Sequence, residues 1–136
     1  MSQTTFQVED VVAAAEFRTA LRRFARRSER VARQYGLTPQ RYLLLLMIKG
    51  AADGKEQSTV TELADRLQLA QSTVTELVRR AEEIGLVTRR QSQDDARVAH
   101  LSLTPDGDRR LMQSFTELAT ERAQLREAFA QLDEAF

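Results

Sequence analysis

The sequence of 136 residues contains no cysteine, no tryptophan and a single histidine. The missing cysteines exclude disulfides, thiol-based oxidant sensing and thiolate metal ligands within these residues. The one histidine, His100, has no second metal ligand near it in the sequence, so we expect neither a metal site nor a cofactor. A cytoplasmic location is compatible with this composition and is our expectation.

Long apolar runs are also missing. The longest is YLLLLMI at residues 42–48, far shorter than the roughly 20 residues that a membrane-spanning helix needs. The first residues, MSQTTFQVEDVV, lack the basic start and apolar centre of a signal peptide. We therefore predict that YLLLLMI forms a helix buried on most sides, and that the chain has no membrane partner.

An excess of charge of one sign is absent, since Lys plus Arg and Asp plus Glu number 20 each. The distribution is nevertheless uneven, because residues 18–41 hold eight arginines against one glutamate, a net of +7, while residues 104–136 carry −3. The arginine-rich face could contact a DNA backbone, form ion pairs with the acidic final helix, or be solvated. The opposite charges of the two segments favour the last two interpretations.

The hexapeptide STVTEL occurs twice, at residues 58–63 and 72–77. In both copies the apolar positions follow the i, i+3, i+4, i+7 spacing of a helix face, which predicts two amphipathic helices joined by a short turn near residues 68–70. In the first copy Thr59 and Glu62 form a T-x-x-E capping box. The second copy has no such box, so its hydroxyls are free for other partners.

Helix-start and helix-stop signals surround this pair. Gly36 ends a first helix, Thr38 and Pro39 start a second, and Gly85 ends the fourth. The segments LVTRR and VAHLSLT then alternate apolar and polar residues around the polar residues 91–97, which predicts a β-hairpin. Four helices, a hairpin and a final helix indicate a mainly α fold with a small β-hairpin wing, that is, a winged helix-turn-helix.

Heptad seams run along both ends of the chain, from Phe17 to Tyr35 and from Leu111 to Phe136. The second seam is unbroken, which predicts one long helix or two nearly collinear ones. Each seam needs a partner, and the natural candidate is the same seam of a second copy. The predicted dimerisation residues are Phe17, Leu21, Leu118, Leu125, Phe129 and Leu132.

These elements predict a single domain over residues 1–136. Residues 38–104 form the winged helix-turn-helix lobe, and residues 8–35 and 105–136 form a helical dimerisation lobe.

The fourth helix carries the candidate binding residues. With Val74, Leu77, Val78, Ala81 and Ile84 facing the core, its small hydroxyls and arginines face outward. Such a helix suits the DNA major groove, although an ordinary solvated face fits equally well. The basic hairpin favours DNA, since arginines suit the electronegative minor groove. The predicted DNA-binding residues are Gln71, Ser72, Thr73, Thr75, Glu76, Arg79, Arg80, Arg89, Arg90, Asp95 and Arg97, with Asp95 holding Arg97 in a fixed pose.

Residues 85–107, GLVTRRQSQDDARVAHLSLTPDG, resemble the wing signature of the MarR family of bacterial transcriptional regulators. The matching positions are Gly85, Leu86, Val87, Arg89, Asp95, Arg97, Leu103, Thr104 and Gly107. The segment LTPQRYLLL at 37–45 and the tandem helices at 59–84 are also similar to the family. Two residues of the turn depart from it, since Gln68 stands where the family often has glycine, and Ala70 where it often has a capping serine.

The resemblance implies a homodimer that binds a pseudo-palindromic double-stranded DNA operator. A recognition helix would enter the major groove of each half-site, and Arg97 would enter the minor groove. It also implies a sequence-specific repressor that releases DNA when a small aromatic or phenolic effector enters a cleft beside the dimer helices. Aromatic residues on a helical seam are core more often than pocket. The candidate effector residues are Phe17, Phe24, Tyr42 and Leu46.

The main alternative is a winged-helix module that docks a partner protein and binds no DNA, because fold does not fix function. An enzyme is not predicted, since Asp94 and Asp95 are neighbours on a hairpin tip and point in different directions. The operator, the regulated genes and the effector cannot be named from the sequence, nor can repression be distinguished from activation.

Overall fold

The computed structural model describes residues 5–135, which form six helices and two strands. In chain order they are α1 (Val8–Gln34), α2 (Pro39–Lys49), α3 (Val60–Leu67), α4 (Gln71–Glu83), β1 (Val87–Gln91), β2 (Ala99–Leu103), α5 (Pro105–Glu117) and α6 (Ala119–Ala135). The strands pair antiparallel, with Val87 opposite Leu103. The predicted fold class is therefore confirmed, and within the described residues no helix has the length and apolarity to cross a bilayer. Phe136, the last position of the predicted seam, lies outside the described residues.

The predicted helix starts of α2 and α3 are confirmed by their caps. Thr38 Oγ1 accepts a hydrogen bond from the Arg41 amide at 3.2 Å, and Pro39 occupies the first turn of α2. At α3 the capping box is complete, because Thr59 Oγ1 accepts from the Glu62 amide at 3.2 Å and Glu62 Oε1 accepts from the Thr59 amide at 3.1 Å. Both caps satisfy amides that a helix start leaves without intrahelical acceptors.

The turn between α3 and α4 shows the consequences of its two departures from the family pattern. Gln68 has φ 56° and ψ 47°, the left-handed conformation that glycine adopts without a steric penalty. Its side-chain amide donates to the Asp65 carbonyl at 2.6 Å. Ala70 occupies the N-cap of α4 and has no side-chain oxygen to offer. The turn therefore places a non-glycine residue in the left-handed region and starts α4 without a side-chain cap, and both features cost local stability.

The core lies where α2, α3, α4, the hairpin and α5 meet. As predicted for YLLLLMI, Leu44, Leu45 and Ile48 are fully buried, although Leu43 is 44% exposed. On α4, Val74, Val78 and Ala81 are fully buried. The prediction that Ile84 faces the core is wrong, because Ile84 is the C-cap residue of α4 and is 51% exposed.

The start of α5 is held tightly against the end of α4. Thr104 Oγ1 donates to the Gly85 carbonyl at 2.6 Å and accepts from the Gly107 amide at 3.1 Å. A Cβ atom at Gly107 would lie 2.1 Å from the Leu86 carbonyl oxygen, so no larger residue fits without a backbone shift. This close approach explains why a Leu-Thr-x-x-Gly sequence follows the wing.

The two seams pack on each other within one chain, so each finds part of its apolar partner in its own protomer. The predicted contact of the seams with a second copy stays a prediction. α1 makes its most extensive contact with α6, and the Phe17 and Phe129 rings meet edge to face with centroids 6.0 Å apart. Arg27 Nε lies 3.3 Å from Glu121 Oε1 along the same helix pair. A helical seam needs an apolar partner, and here the opposite end of the chain supplies much of it.

The second seam forms two helices, α5 and α6, separated at Leu118. Leu118 has φ −93° and ψ 10°, and its amide donates to the Phe115 carbonyl at 3.2 Å instead of continuing the α-helical ladder. The side chain of Leu118 is fully buried within the chain. The prediction that Leu118 contacts a second copy is therefore wrong, because no part of it reaches the surface.

Candidate nucleic-acid interface

The first turn of α4 presents small polar side chains to solvent. Val74 and Val78 anchor the helix in the core, and this leaves Ser72, Thr73 and Thr75 exposed. Across residues 5–135 the three hydroxyls form no hydrogen bond. Because Ala70 provides no cap, the first-turn amides also have no side-chain acceptor. Free amides at a helix start, carrying the positive end of the helix dipole, suit an incoming phosphate oxygen.

The outward arginines of α4 are held by two glutamates of the same helix. Arg79 donates to Glu76, with Nε 2.9 Å from Oε2, and also contacts Glu83. Arg80 Nε donates to Glu76 Oε1 at 3.1 Å. The hydrogen bonds from Arg79 and then Arg80 lower the pKa of Glu76 to about 2. To bind a phosphate or a base, Arg79 or Arg80 must therefore break its hydrogen bond to Glu76 or donate to both acceptors at once.

The base of the wing is tied to α4 by a further ion pair. Arg89 on β1 donates through Nη2 to Glu82 Oε1 at 3.0 Å. Arg90, the next residue, lies opposite His100 in the hairpin and is exposed. No carboxylate in the described part of the chain pairs with Arg90. Glu82 was not predicted from the sequence, since the Glu82–Arg89 pair forms only when β1 folds back beside the end of α4.

The wing tip shows the predicted pairing of Asp95 with Arg97. Arg97 donates to Asp95 from its backbone amide at 3.0 Å and from Nε at 3.2 Å. The backbone hydrogen bond is the main reason that the pKa of Asp95 is lowered. Ser92 Oγ accepts from the amides of Asp94 and Asp95, which fixes the turn. The Arg97 side chain is still 91% exposed, so its guanidinium is oriented but not covered.

The candidate site thus consists of two adjacent parts. The exposed first turn of α4 offers hydroxyls and free amides, and the wing offers Arg90 and a pre-oriented Arg97. α4 and β1 are in direct contact, so the base of the wing lies against the helix that carries the hydroxyls. Hydroxyls, amides and forked guanidiniums are the groups that bind phosphates and base edges.

The predicted effector residues do not all meet in one place. Phe24 and Tyr42 line a cavity of about 170 Å³ between α1 and α2, together with Ser28, Pro39 and Leu43. Phe17 instead lines a neighbouring cleft between α1 and α6, which it shares with Phe24. Leu46 packs against the core and lines neither. Burial raises the pKa of Tyr42, so its hydroxyl stays protonated near neutral pH.

Several of the predicted dimerisation residues remain accessible at the surface. Leu21 is 39% exposed and Phe129 is 56% exposed, while Leu125 and Leu132 are partly buried. The start of α1 adds Val8, Val11 and Val12, all more than half exposed. The heptad pattern does not identify these valines, because it begins only at Phe17. An apolar surface of this kind is typical of a protein interface.

A helix-turn-helix followed directly by a two-stranded wing defines the winged helix-turn-helix class. Residues 35–98 match the model of the MarR family. This segment is just under half of the chain, includes the helix-turn-helix and the first strand of the wing, and is similar to the MarR family of winged helix-turn-helix transcriptional regulators.

Similar proteins come from Bacillus subtilis strain 168 and from E. coli. The organic hydroperoxide resistance transcriptional regulator of B. subtilis is 37% identical over 71 residues, which is 52% of this chain and 46% of that protein. The B. subtilis HTH-type transcriptional repressor MdtR is 36% identical over 73 residues, which is 54% of this chain and 44% of that protein. The matched segments thus span less than half the length of these two relatives.

The fold is also similar to that of a mutant of E. coli MarR crystallised with operator DNA. The TM-score is 0.70 at 20% identity, and the match covers 86% of this chain and 85% of that chain.

Proposed function

We propose that this protein is a sequence-specific DNA-binding transcriptional regulator. Helix α4 would enter the major groove, and the wing would place Arg97 in the minor groove. The observation that carries the proposal is the Asp95–Arg97 pair, which orients an almost fully exposed guanidinium at the tip of the hairpin. An arginine held in advance loses less rotamer freedom on binding. A protein-docking module would have no need of such an arginine.

A homodimer supports this function, because two copies read two half-sites of a pseudo-palindromic operator. The proposed division assigns residues 38–104 to the DNA-binding lobe, and residues 8–35 and 105–136 to the dimerisation lobe. Exposed apolar side chains on α1 and α6, among them Leu21 and Phe129, support the assignment of these helices to the interface. The partly buried side chains of Phe17, Leu125 and Leu132 would pack beneath these exposed residues and contribute to the same interface.

We further propose that the regulator is a repressor released by a small aromatic or phenolic effector. The cavity between α1 and α2 supports this, since Phe24 and Tyr42 provide apolar and aromatic walls beside the Ser28 hydroxyl. An effector bound there would bias the position of α1 relative to the winged lobe. With no cysteine in the 136 residues, the release cannot depend on thiol oxidation within them.

The test is fluorescence anisotropy of the protein on operator DNA, obtained by selection from fragmented genomic DNA, against a scrambled duplex. Arg97→Ala is expected to reduce operator affinity by at least tenfold without changing the melting temperature. Arg126→Ala is the matched control, because Arg126 is also exposed and has no ion pair within residues 5–135. Equal binding of operator and scrambled DNA, or an Arg97→Ala variant that binds normally, would overturn the proposal in favour of a protein-docking module.

A further inference from the structure

Helix α1 carries a continuous stripe of arginines on one face, formed by Arg18, Arg22, Arg23, Arg26, Arg30 and Arg33. At about 100° and 1.5 Å per residue, the arginine stripe spans about 140° of the helix circumference and about 22 Å of its length. All six side chains are exposed. The residues that α1 buries in the core, Val31 and Ala32, lie on the opposite face. The arginine stripe is therefore a solvent-facing surface of the protomer.

Within residues 5–135 the six arginines of the stripe have no ion-pair partner. Arg27, at the edge towards α6, is the one arginine of α1 with an ion pair among residues 5–135, and its partner is Glu121. Glu29 is the one acidic residue within the span of the stripe, and it pairs with none of the six. The expected neutralisation by the acidic final helix is thus confined to Arg27.

Like charges three and four positions apart destabilise a helix. The stripe contains several such pairs, including Arg18 with Arg22, Arg22 with Arg26, and Arg26 with Arg30. On α4, by contrast, the adjacent Arg79 and Arg80 form ion pairs with Glu76 and Glu83. On α1 nothing in the described chain removes the repulsion within the stripe, so an anionic partner would stabilise this helix.

Helix α6 of a second copy cannot supply enough negative charge. The exposed carboxylates of α6 are Glu127, Asp133 and Glu134, three against six guanidiniums, and Arg126 lies among them. A small anion would cover only one or two of the arginines. A linear array about 22 Å long instead suits an extended polyanion such as duplex DNA, which carries one negative charge per about 1.7 Å of its axis.

We propose that the arginine stripe is a second, sequence-independent binding site for the phosphate backbone of duplex DNA. The choice of DNA among polyanions rests on the proposed function, which brings DNA to this protein. The stripe is separate from the recognition surface, since α1 packs on α2, α5 and α6, whereas α4 packs on α2, α3 and β1. One dimer would then hold its operator through α4 and the wing, and bind flanking or neighbouring DNA through α1.

The experiment measures binding of a labelled random-sequence duplex by anisotropy at several NaCl concentrations. Five proteins of residues 1–136 are compared: wild type, R22Q/R26Q, R22K/R26K, R97A, and the control K55Q/R126Q, which removes two exposed positive charges outside the stripe. For each chain, R22Q/R26Q is expected to reduce the slope of log affinity against log salt by about 1.8, or about 0.9 for each phosphate that the variant no longer neutralises. The control is expected to keep the wild-type slope, and R22K/R26K to keep most of it.

Preference for the operator separates this inference from the proposed function. R22Q/R26Q should retain the operator preference that R97A loses, whereas a protein with no operator preference at all would contradict the proposed function alone. Identical slopes for R22Q/R26Q and K55Q/R126Q would overturn the inference and leave a solvated face. Stripe-dependent binding of phosphatidylserine vesicles without binding of the random duplex would also overturn it. A weaker dimer in R22Q/R26Q by sedimentation, with unchanged DNA slopes, would identify a second copy as the partner instead.

Discussion

The two copies of STVTEL have the same six residues and different structures. The first copy straddles a helix start, since α3 begins at its third residue, Val60. The second lies wholly inside a helix, since α4 begins one residue before it, at Gln71. The same hydroxyl position is therefore the cap Thr59 in one copy and the exposed, unbonded Thr73 in the other. Equal sequence thus led to a stabilising role in one place and an accessible surface in the other.

The difference comes from the neighbours of each copy. Ser58 is bridged to the wing strand, where its amide donates to the Leu101 carbonyl at 3.0 Å and its carbonyl accepts from the Leu101 amide at 2.8 Å. This pairing holds Ser58 extended, so the helix starts only after Thr59. Ser72 has no such partner and continues the helix that Gln71 begins. Pairing with β2 therefore determines that the Thr59 hydroxyl caps a helix, whereas the Thr73 hydroxyl, without such a strand beside it, lies within a helix and faces solvent.

The largest effect is expected from the matched core leucines of the two copies. Leu63 is fully buried, whereas Leu77 is only partly buried. Leu63→Ala should lower the free energy of unfolding by about 2 to 5 kcal/mol. Leu77→Ala should cost about 1 kcal/mol. Urea denaturation of both variants measures this, and equal destabilisation would show that the two copies are packed alike.

The matched hydroxyls should separate stability from DNA binding. Thr59→Ala removes the α3 cap and is expected to cost about 1 kcal/mol of stability. Thr73→Ala should change stability by less than about 0.5 kcal/mol, because its hydroxyl has no partner in the described chain. It should weaken operator binding by about three- to tenfold, the effect of removing one hydrogen bond. If Thr73→Ala destabilised the protein as much as Thr59→Ala, the proposed division of roles would be wrong.

Giving α4 a cap should make the second helix resemble the first. Ala70→Ser places a hydroxyl at the N-cap and is expected to raise the free energy of unfolding by about 0.5 to 1 kcal/mol. Ala52→Ser, in the exposed loop after α2, is the control and should have no effect. Since the new hydroxyl would occupy first-turn amides, we also expect weaker DNA binding. A gain in stability with unchanged DNA affinity would mean that these amides do not bind phosphate.

The smallest effect is expected at Glu76. This residue stands in the second copy at the position that the capping Glu62 has in the first copy. Hydrogen bonds from Arg79 and Arg80 lower the pKa of Glu76 from 4.5 to about 2. A depressed folded-state pKa stabilises the protein above the unfolded pKa, and this contribution disappears as pH falls through the folded value. The melting temperature of wild type should therefore fall towards that of Glu76→Gln between pH 4.5 and about 2.

Because Glu76 is exposed, the difference between these two proteins should be small. Glu127→Gln, which removes an exposed carboxylate with no ion pair in residues 5–135, is the control. If Glu127→Gln and Glu76→Gln had identical melting profiles across this range, the ion pairs on α4 would contribute nothing.

Local patterns predicted much of the fold and part of the site. The capping box of Thr59 and Glu62, the start of α2 at Thr38, and the Asp95–Arg97 pair all involve residues within three positions of each other. Such interactions depend on backbone geometry that neighbouring residues largely determine, so they could be predicted correctly. The Glu82–Arg89 pair could not, because it depends on how β1 folds back beside α4.

The sequence by itself determined which helices form, where they are capped and which face of each is apolar. Only the tertiary structure decided what those apolar faces pack against. The heptad seams showed that α1 and α6 needed partners, but a seam does not specify whether its partner is in the same chain, so their mutual packing and the burial of Leu118 were not predicted. The same holds for ion pairs, because the fold determines which charged side chains lie close to each other. The arginines of α4 are neutralised by their own helix, whereas those of α1 have almost no acidic partner within the described chain.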